Sequence, residues 1–171
     1  MLKPLLVLCL SLLATSPVRA TELDLTGVKD DAAATVATAK FLEGMGQTII
    51  KQGSGSVLIR HGGFVILVYP TISKEGGDLL VATVTFKGVG KANLEAEALA
   101  KTLTRANGRF NYLTAYLNGD GDGDVLLRYA LVFDGKLDSE LVKKWLVRVS
   151  SQTTKFAREH GEALNPFLAQ R

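Results

Sequence analysis

The sequence predicts an α+β fold in which an antiparallel sheet of hairpins packs against three helices. Short runs rich in β-branched and aromatic residues are joined by brief glycine-rich connections, which is typical of hairpins. Three longer segments instead repeat apolar residues every three or four positions, as helices do. The predicted order is α-β-β-β-β-α-β-β-α. Because the strands occur in runs rather than alternating singly with helices, an antiparallel sheet is favoured over a doubly wound parallel one.

The first half of the chain is predicted to contain one helix and four strands. Asp30 and Asp31 favour the N-terminus of a helix, which continues until Gly44. The strands are expected at residues 47–52, 57–60, 64–69 and 79–86. Gly-Ser and His-Gly-Gly segments connect the first three of them. This half is therefore expected to form an antiparallel meander.

The second half is predicted to contain two helices that flank a pair of strands. Asn93 is expected to cap the first of these helices, which ends at Asn107 and Gly108. The strands are expected at residues 112–117 and 125–133. Asp138 is expected to cap the last helix, whose apolar spacing continues as far as Gly161.

The first 20 residues have the pattern of a secretory signal peptide. Lys3 precedes an apolar run at residues 5–13, and Val18 and Ala20 place small residues before a cleavage site at Thr21. The apolar run is about half of the ~20 residues that a membrane-spanning helix needs, so an uncleaved anchor is the less favoured alternative. We therefore expect residues 21–171 to form a single domain that is periplasmic or secreted and has no stable membrane span.

Cleavage of this segment changes the charge and the cysteine content. The whole chain has 20 basic and 17 acidic residues, and removal of Lys3 and Arg19 lowers the net charge from +3 to +1. A nearly neutral domain without a patch of basic and aromatic residues is not expected to bind nucleic acid. Cys9 is the only cysteine, so the predicted mature chain has no disulfide, thiolate zinc site or cysteine nucleophile.

Several segments of the sequence resemble the YbjN family, whose members are labelled as bacterial sensory transduction regulators. Residues 107–117 (NGRFNYLTAYL), the acidic turn at 120–124 and residues 125–131 (VLLRYAL) carry the resemblance. Asn107, Arg109 and Phe110 occupy the family's helix-closing positions, and residues 137–156 occupy its long last helix. The segment FLEGMG at residues 41–46 is similar to the family's N-terminal half, so the resemblance spans roughly residues 30–160.

The resemblance carries implications for fold and function. The fold of the family is similar to that of type III secretion chaperones, which implies an α+β sandwich that often dimerises and binds protein. A protein partner and a homodimer are therefore expected for this chain.

The acidic loop before the last strand is a candidate calcium site. Asn118, Asp120, Asp122 and Asp124 fall at positions one, three, five and seven of a calcium loop, with Gly123 at position six. Position twelve is Tyr129 instead of glutamate, and strands rather than helices flank the loop. A polar hairpin turn, in which aspartate and glycine are favoured for their backbone angles, is the alternative interpretation.

No catalytic motif is evident in the sequence. Residues 87–91 (KGVGK) lie where a phosphate-binding loop would occur, but Thr85 and Ala92 do not match its pattern. His61 and His160 lie in different contexts, and Ser54 and Ser56 do not form a nucleophile elbow. We therefore predict no catalytic residue, no cofactor and no enzymatic activity.

The last helix is a candidate for protein interaction. Trp145, Val149 and Phe156 lie on its apolar stripe, which would form ordinary core or, if surplus to the sheet, a contact surface. The sequence as a whole predicts an exported, non-enzymatic protein-binding domain that is chaperone-like or regulatory. The alternative is a small-ligand or calcium-binding module that uses the loop from Asp120 to Asp124.

Overall fold

The computed structural model describes residues 21–73, 77–88, 96–110, 112–118, 123–165 and 168. It contains three helices, α1 (Asp31–Gly44), α2 (Ala96–Asn107) and α3 (Ser139–Leu164). The strands are β1 (Glu22–Asp24), β2 (Thr48–Gln52), β3 (Val57–His61), β4 (Phe64–Thr71), β5 (Asp78–Phe86), β6 (Thr114–Leu117), β7 (Val125–Phe133) and β8 (Lys136–Asp138). The predicted α+β class, with three helices and antiparallel pairing, is confirmed.

The strands form two antiparallel sheets. The larger has six strands in the order β2-β3-β4-β5-β7-β6, and the smaller pairs β1 with β8. The strands β1 and β8 are not predicted from the sequence, because three residues are too few to show a period. The pair is held by Leu23 and Leu137, which are opposite each other and buried, and by Lys136, whose Nζ lies 3.0 Å from carboxylate oxygens of both Glu22 and Asp24.

Local sequence signals set the helix boundaries. Asp30 accepts a hydrogen bond from the backbone N–H of Ala33 at the start of α1, and Asp138 accepts two from the start of α3. The helix α3 extends to Leu164, beyond the expected end at Gly161. The predicted cap Asn93 lies outside the described residues.

The helices pack on one face of the larger sheet, which we call the covered face. Along β7, Val125, Leu127 and Tyr129 are buried. Arg128, which lies between Leu127 and Tyr129, and Ala130, which follows Tyr129, are exposed. The strand register extends this buried set to Ala82 on β5, Val68 on β4 and Val57 on β3. All of these residues belong to one hydrophobic core with buried residues of α1, α2 and α3.

A buried hydrogen bond connects the covered face to α3. The Tyr129 hydroxyl lies 2.8 Å from the Thr153 Oγ1. Burial raises the pKa of Tyr129 to about 12, although the hydrogen bond to Thr153 acts in the opposite direction. Among the described residues, no helix combines the length and the apolar character that crossing a bilayer requires.

Candidate functional site

The second face of the six-stranded sheet, which we call the open face, carries apolar residues outside the core. Its side chains belong to the strand residues that alternate with those of the covered face. They include Leu58, Val65, Leu67, Tyr69, Leu79, Val81, Thr83, Thr85, Tyr116, Leu126, Ala130 and Val132. None of them belongs to the hydrophobic cluster that the helices form with the covered face, although Val81 and Thr83 at the centre of the open face are buried. Around this buried centre, Val65, Tyr116 and Val132 are exposed on the open face.

One row of side chains crosses the open face over all six strands. The register places Lys51 beside Leu58, Leu58 beside Leu67, Leu67 beside Thr83, and Thr83 beside Arg128, with Thr114 at the end. Neighbouring strands are about 4.8 Å apart, so four steps separate the backbones of Lys51 and Arg128 by about 19 Å. The row thus has a cation towards each end and aliphatic residues near its middle.

The open face also carries all of the Lys and Arg residues of the sheet. Arg60 lies opposite Val65, which places it on the same face as Lys51 and Arg128. None of these three cations forms an ion pair within the described part of the chain. The one carboxylate in the six strands, Asp78, lies opposite Phe133 on the covered face, and its oxygens accept backbone hydrogen bonds from Ser73 and Gly135. The open face is therefore positively charged.

Two clefts border the row. One of about 920 Å³ is lined by Leu58, Leu67 and Thr83 of the sheet and also by Phe156 and Leu164 of α3. A second of about 550 Å³ is lined by residues that include Tyr116, Arg128 and Ala130. Val65 also lines the first cleft and is 39% exposed, whereas Val132 lines neither cleft and is 66% exposed. The open face thus combines a cleft lined by aliphatic residues with an exposed valine outside it.

The acidic loop is only partly described. Asp120 and Asp122 lie outside the described residues, whereas Asn118 donates a backbone hydrogen bond to the Asp124 carbonyl at 2.9 Å. The Asp124 carboxylate lies 2.8 Å from Lys87 Nζ and accepts a 2.9 Å hydrogen bond from the Gly88 N–H. These two donors hold the pKa of Asp124 below its usual value. Asp124 therefore links the end of β5 to the start of β7.

These contacts also bear on the two ligand sites that the sequence suggests, the calcium loop and the phosphate-binding loop. Among the described residues, no group of three metal-ligating side chains comes together. The glycine-containing segment considered as a phosphate loop continues into residues 89–91, which lie outside the described part, and its Gly88 amide already donates to Asp124.

The structure places the three α3 residues considered for protein interaction in the core. Trp145 is 7% exposed, and Val149 and Phe156 are fully buried. The ring of Phe156 packs between those of Phe86 and Phe110, with centroid distances of 6.0 Å and 6.3 Å. Their side chains face the protein interior, so the apolar stripe of α3 forms ordinary core and not a contact surface. The uncovered apolar surface lies on the sheet instead.

The two histidines occupy different environments. His61 Nδ1 lies 2.8 Å from the side-chain oxygen of Gln47. His160 packs against Phe110 and Phe156, and its Nε2 has no hydrogen-bond partner within the described residues. Burial lowers the pKa of both rings.

The open face was not found from the sequence because it depends on register. Lys51, Arg60 and Arg128 are far apart in the chain, and their common side follows only once each strand is aligned with its neighbour. The available signal was that β4 and β5 are apolar at both alternating sets of positions, although one face would suffice for the core.

Comparison with known proteins identifies the family. The model of the YbjN family, described as "Putative bacterial sensory transduction regulator", matches residues 35–162. A solved structure of YbjN from E. coli, described as "a putative transcription regulator", superposes with a TM-score of 0.55 at 15% identity, and the match covers 79% of this chain and 95% of that one. No curated protein matches the sequence. The structural likeness supports the same fold, and because the family model spans most of the sequence, the chain belongs to the YbjN family.

Proposed function

We propose that the chain is an exported, non-enzymatic regulator that acts by binding a protein partner through the open face of its sheet. One observation carries this proposal: the open face presents aliphatic residues outside the core together with the three cations Lys51, Arg60 and Arg128. Apolar residues that remain exposed on one face, as Val65, Tyr116 and Val132 do on this one, are characteristic of an interaction site. Such a surface works by contact and requires no catalytic group.

Export is part of the proposal because of the signal-peptide pattern in residues 1–20. It is supported by the position of Thr21, the residue after the expected cleavage site. The Thr21 carbonyl accepts a 2.9 Å hydrogen bond from the Ser139 N–H, and β1 follows at once. Cell fractionation and N-terminal sequencing test this part. A periplasmic or secreted protein that begins at Thr21 agrees with it, and an uncleaved cytoplasmic protein contradicts it.

Site-specific photo-crosslinking tests the proposed surface. The photoreactive residue p-benzoylphenylalanine is introduced in place of Val132, which is 66% exposed on the open face. The matched control replaces Val147, which is 60% exposed on α3. After irradiation in the native cells, we expect a discrete protein adduct from position 132 and none from position 147. Equal labelling from both positions, or none from position 132, contradicts the proposal.

A further inference from the structure

We propose that the partner presents a helical protein segment with an apolar centre and carboxylates at both ends, and that this segment lies across the strands of the open face. The inference rests on the proposed function, because it specifies the chemistry of the partner that this face would bind. It is carried by the charge of the face, by the spacing of its cations and by the shape of its centre.

The charge of the face favours an acidic partner. Lys51, Arg60 and Arg128 have no ion-pair partner within the described residues, and the strands place no carboxylate beside them. A second copy of the chain that docked through the same face would bring cations against cations. Complementary charges across an interface guide association, whereas like charges oppose it. The open face is therefore suited to a different, negatively charged molecule rather than to itself.

The spacing of the cations sets the length of the segment. The backbones of Lys51 and Arg128 are about 19 Å apart across the sheet. An α-helix rises about 1.5 Å per residue and has 3.6 residues per turn, so carboxylates about 11 or 14 residues apart lie on one face of the helix and span about 17–21 Å, enough to reach both cations. Leu58 and Leu67 lie between the cations in the same row and would contact the apolar centre of such a helix.

The shape and chemistry of the centre distinguish a protein segment from other anionic partners. Leu58 and Leu67 line the cleft of about 920 Å³, so a ridge of side chains can enter between the cations. A flat bilayer surface would contact protruding residues and leave this recess unfilled. Single-stranded nucleic acid would require a series of aromatic side chains for base stacking, and the row between the cations contains leucine and threonine, with Tyr69 and Tyr116 outside this row.

Two matched triple variants test the inference. In the first, Lys51→Gln, Arg60→Gln and Arg128→Gln remove the cations of the open face. In the control, Lys40→Gln, Lys144→Gln and Arg158→Gln remove three exposed cations from the helices, so that the net charge changes equally. Each triple variant is combined with the photoreactive residue at position 132. The crosslinked segment is sequenced by mass spectrometry, synthesised as a peptide, and titrated against the purified mature domain.

We expect the captured segment to contain an apolar run with Asp or Glu at both ends. Because each exposed ion pair contributes only modestly to affinity, loss of three should weaken peptide binding by the open-face variant about tenfold, and the control should change its Kd less than about twofold. A captured segment without carboxylates, a captured second copy of the chain, or equal losses in the two variants would overturn the inference. Binding of the domain to phosphatidylglycerol vesicles in the absence of any peptide binding would overturn it as well.

The same experiment separates the two proposals. If position 132 still captures a partner at the wild-type level in the open-face variant, binding through this face stands and the acidic character of the partner is refuted. If position 132 captures nothing in the wild-type protein, binding through the open face itself fails.

Discussion

The side-chain amide of Asn107 forms two hydrogen bonds with the main chain of Ala115. Its Nδ2 donates to the Ala115 carbonyl at 2.9 Å, and the Ala115 N–H donates to its Oδ1 at 2.7 Å. Ala115 lies on β6, at the edge of the larger sheet. The end of α2 thus satisfies backbone groups with which another strand could otherwise pair.

Substitution of Asn107 is expected to destabilise the domain. Asn107→Asp keeps the shape but loses the donor and directs a carboxylate at the Ala115 carbonyl, and Asn107→Ala removes both hydrogen bonds. Each change should lower the free energy of unfolding by about 1–3 kcal/mol, because a backbone group loses its partner. Urea unfolding measures the effect, with Thr104→Ala on the exposed side of α2 as the control. Equal stability of Asn107→Asp and the control would show that these bonds contribute little.

Gly62 is expected to tolerate substitution less well than Gly63, although both lie in the turn between β3 and β4. Both have positive φ angles, +55° and +83°, so alanine at either position costs about 1 kcal/mol in backbone strain. A Cβ at Gly62 would also lie 2.5 Å from the Ser150 Oγ, whereas a Cβ at Gly63 would meet no atom within 4 Å.

The stability difference between the two alanine variants measures this contact. Overpacking costs about 1–3 kcal/mol, so Gly62→Ala should be less stable than Gly63→Ala by about that amount in thermal or urea unfolding. Two variants of equal stability would mean that the turn and α3 separate without cost.

The sequence was sufficient for features that depend on neighbouring residues, but not for those that depend on alignment. The caps Asp30 and Asp138 were predictable because each bonds to backbone N–H groups within three residues. The sequence also predicts that α2 ends at Asn107, which lies at a position that resembles the helix end of the YbjN family. Its partner Ala115 is known only once β6 is placed beside the helix.

The candidate surface illustrates the same limit. The apolar stripe of α3, which includes Val149 and Phe156, was visible in the sequence, but whether it faces the sheet or solvent is decided by packing. The open face required the register that brings Lys51, Arg60 and Arg128 to one side. A shift of one residue in any strand would have moved its side chains to the other face.

Calcium is expected to leave the stability of the domain unchanged. Asp124 is the one aspartate of the candidate loop that the structure describes, and its carboxylate already bonds to Lys87 and Gly88. A site with a Kd of about 1 mM would stabilise the fold by about 1.4 kcal/mol at 10 mM calcium, or about 3 °C in Tm. We expect a shift below about 1 °C in a thermal melt, equal to that with magnesium. A calcium-specific rise that Asp124→Asn abolishes would establish the calcium site instead.

The stability of the domain is expected to fall as the pH decreases below 6.5, partly because of His160. Burial among Phe110 and Phe156 lowers the pKa of His160, while nearby Glu159 raises it and Arg109 lowers it further. Above pH 6.5 the ring is neutral in both the folded and the unfolded states. Below pH 6.5 the unfolded chain binds the proton first, so the free energy of unfolding decreases until the pH reaches the lower folded pKa. The lowered pKa of His61 acts in the same direction.

Separate substitution of the two histidines isolates the contribution of His160. His160→Phe keeps a ring in the aromatic cluster and removes the unpartnered Nε2, so the variant should be more stable than the wild type by about 1 kcal/mol at pH 7.5. Because the variant has no proton to bind at this position, its advantage should increase at pH 5.5. His61→Gln is the control, since it removes the other titrating ring and leaves the aromatic cluster intact. If His160→Phe loses as much free energy of unfolding between pH 7.5 and 5.5 as the wild type, His160 does not cause the acid sensitivity.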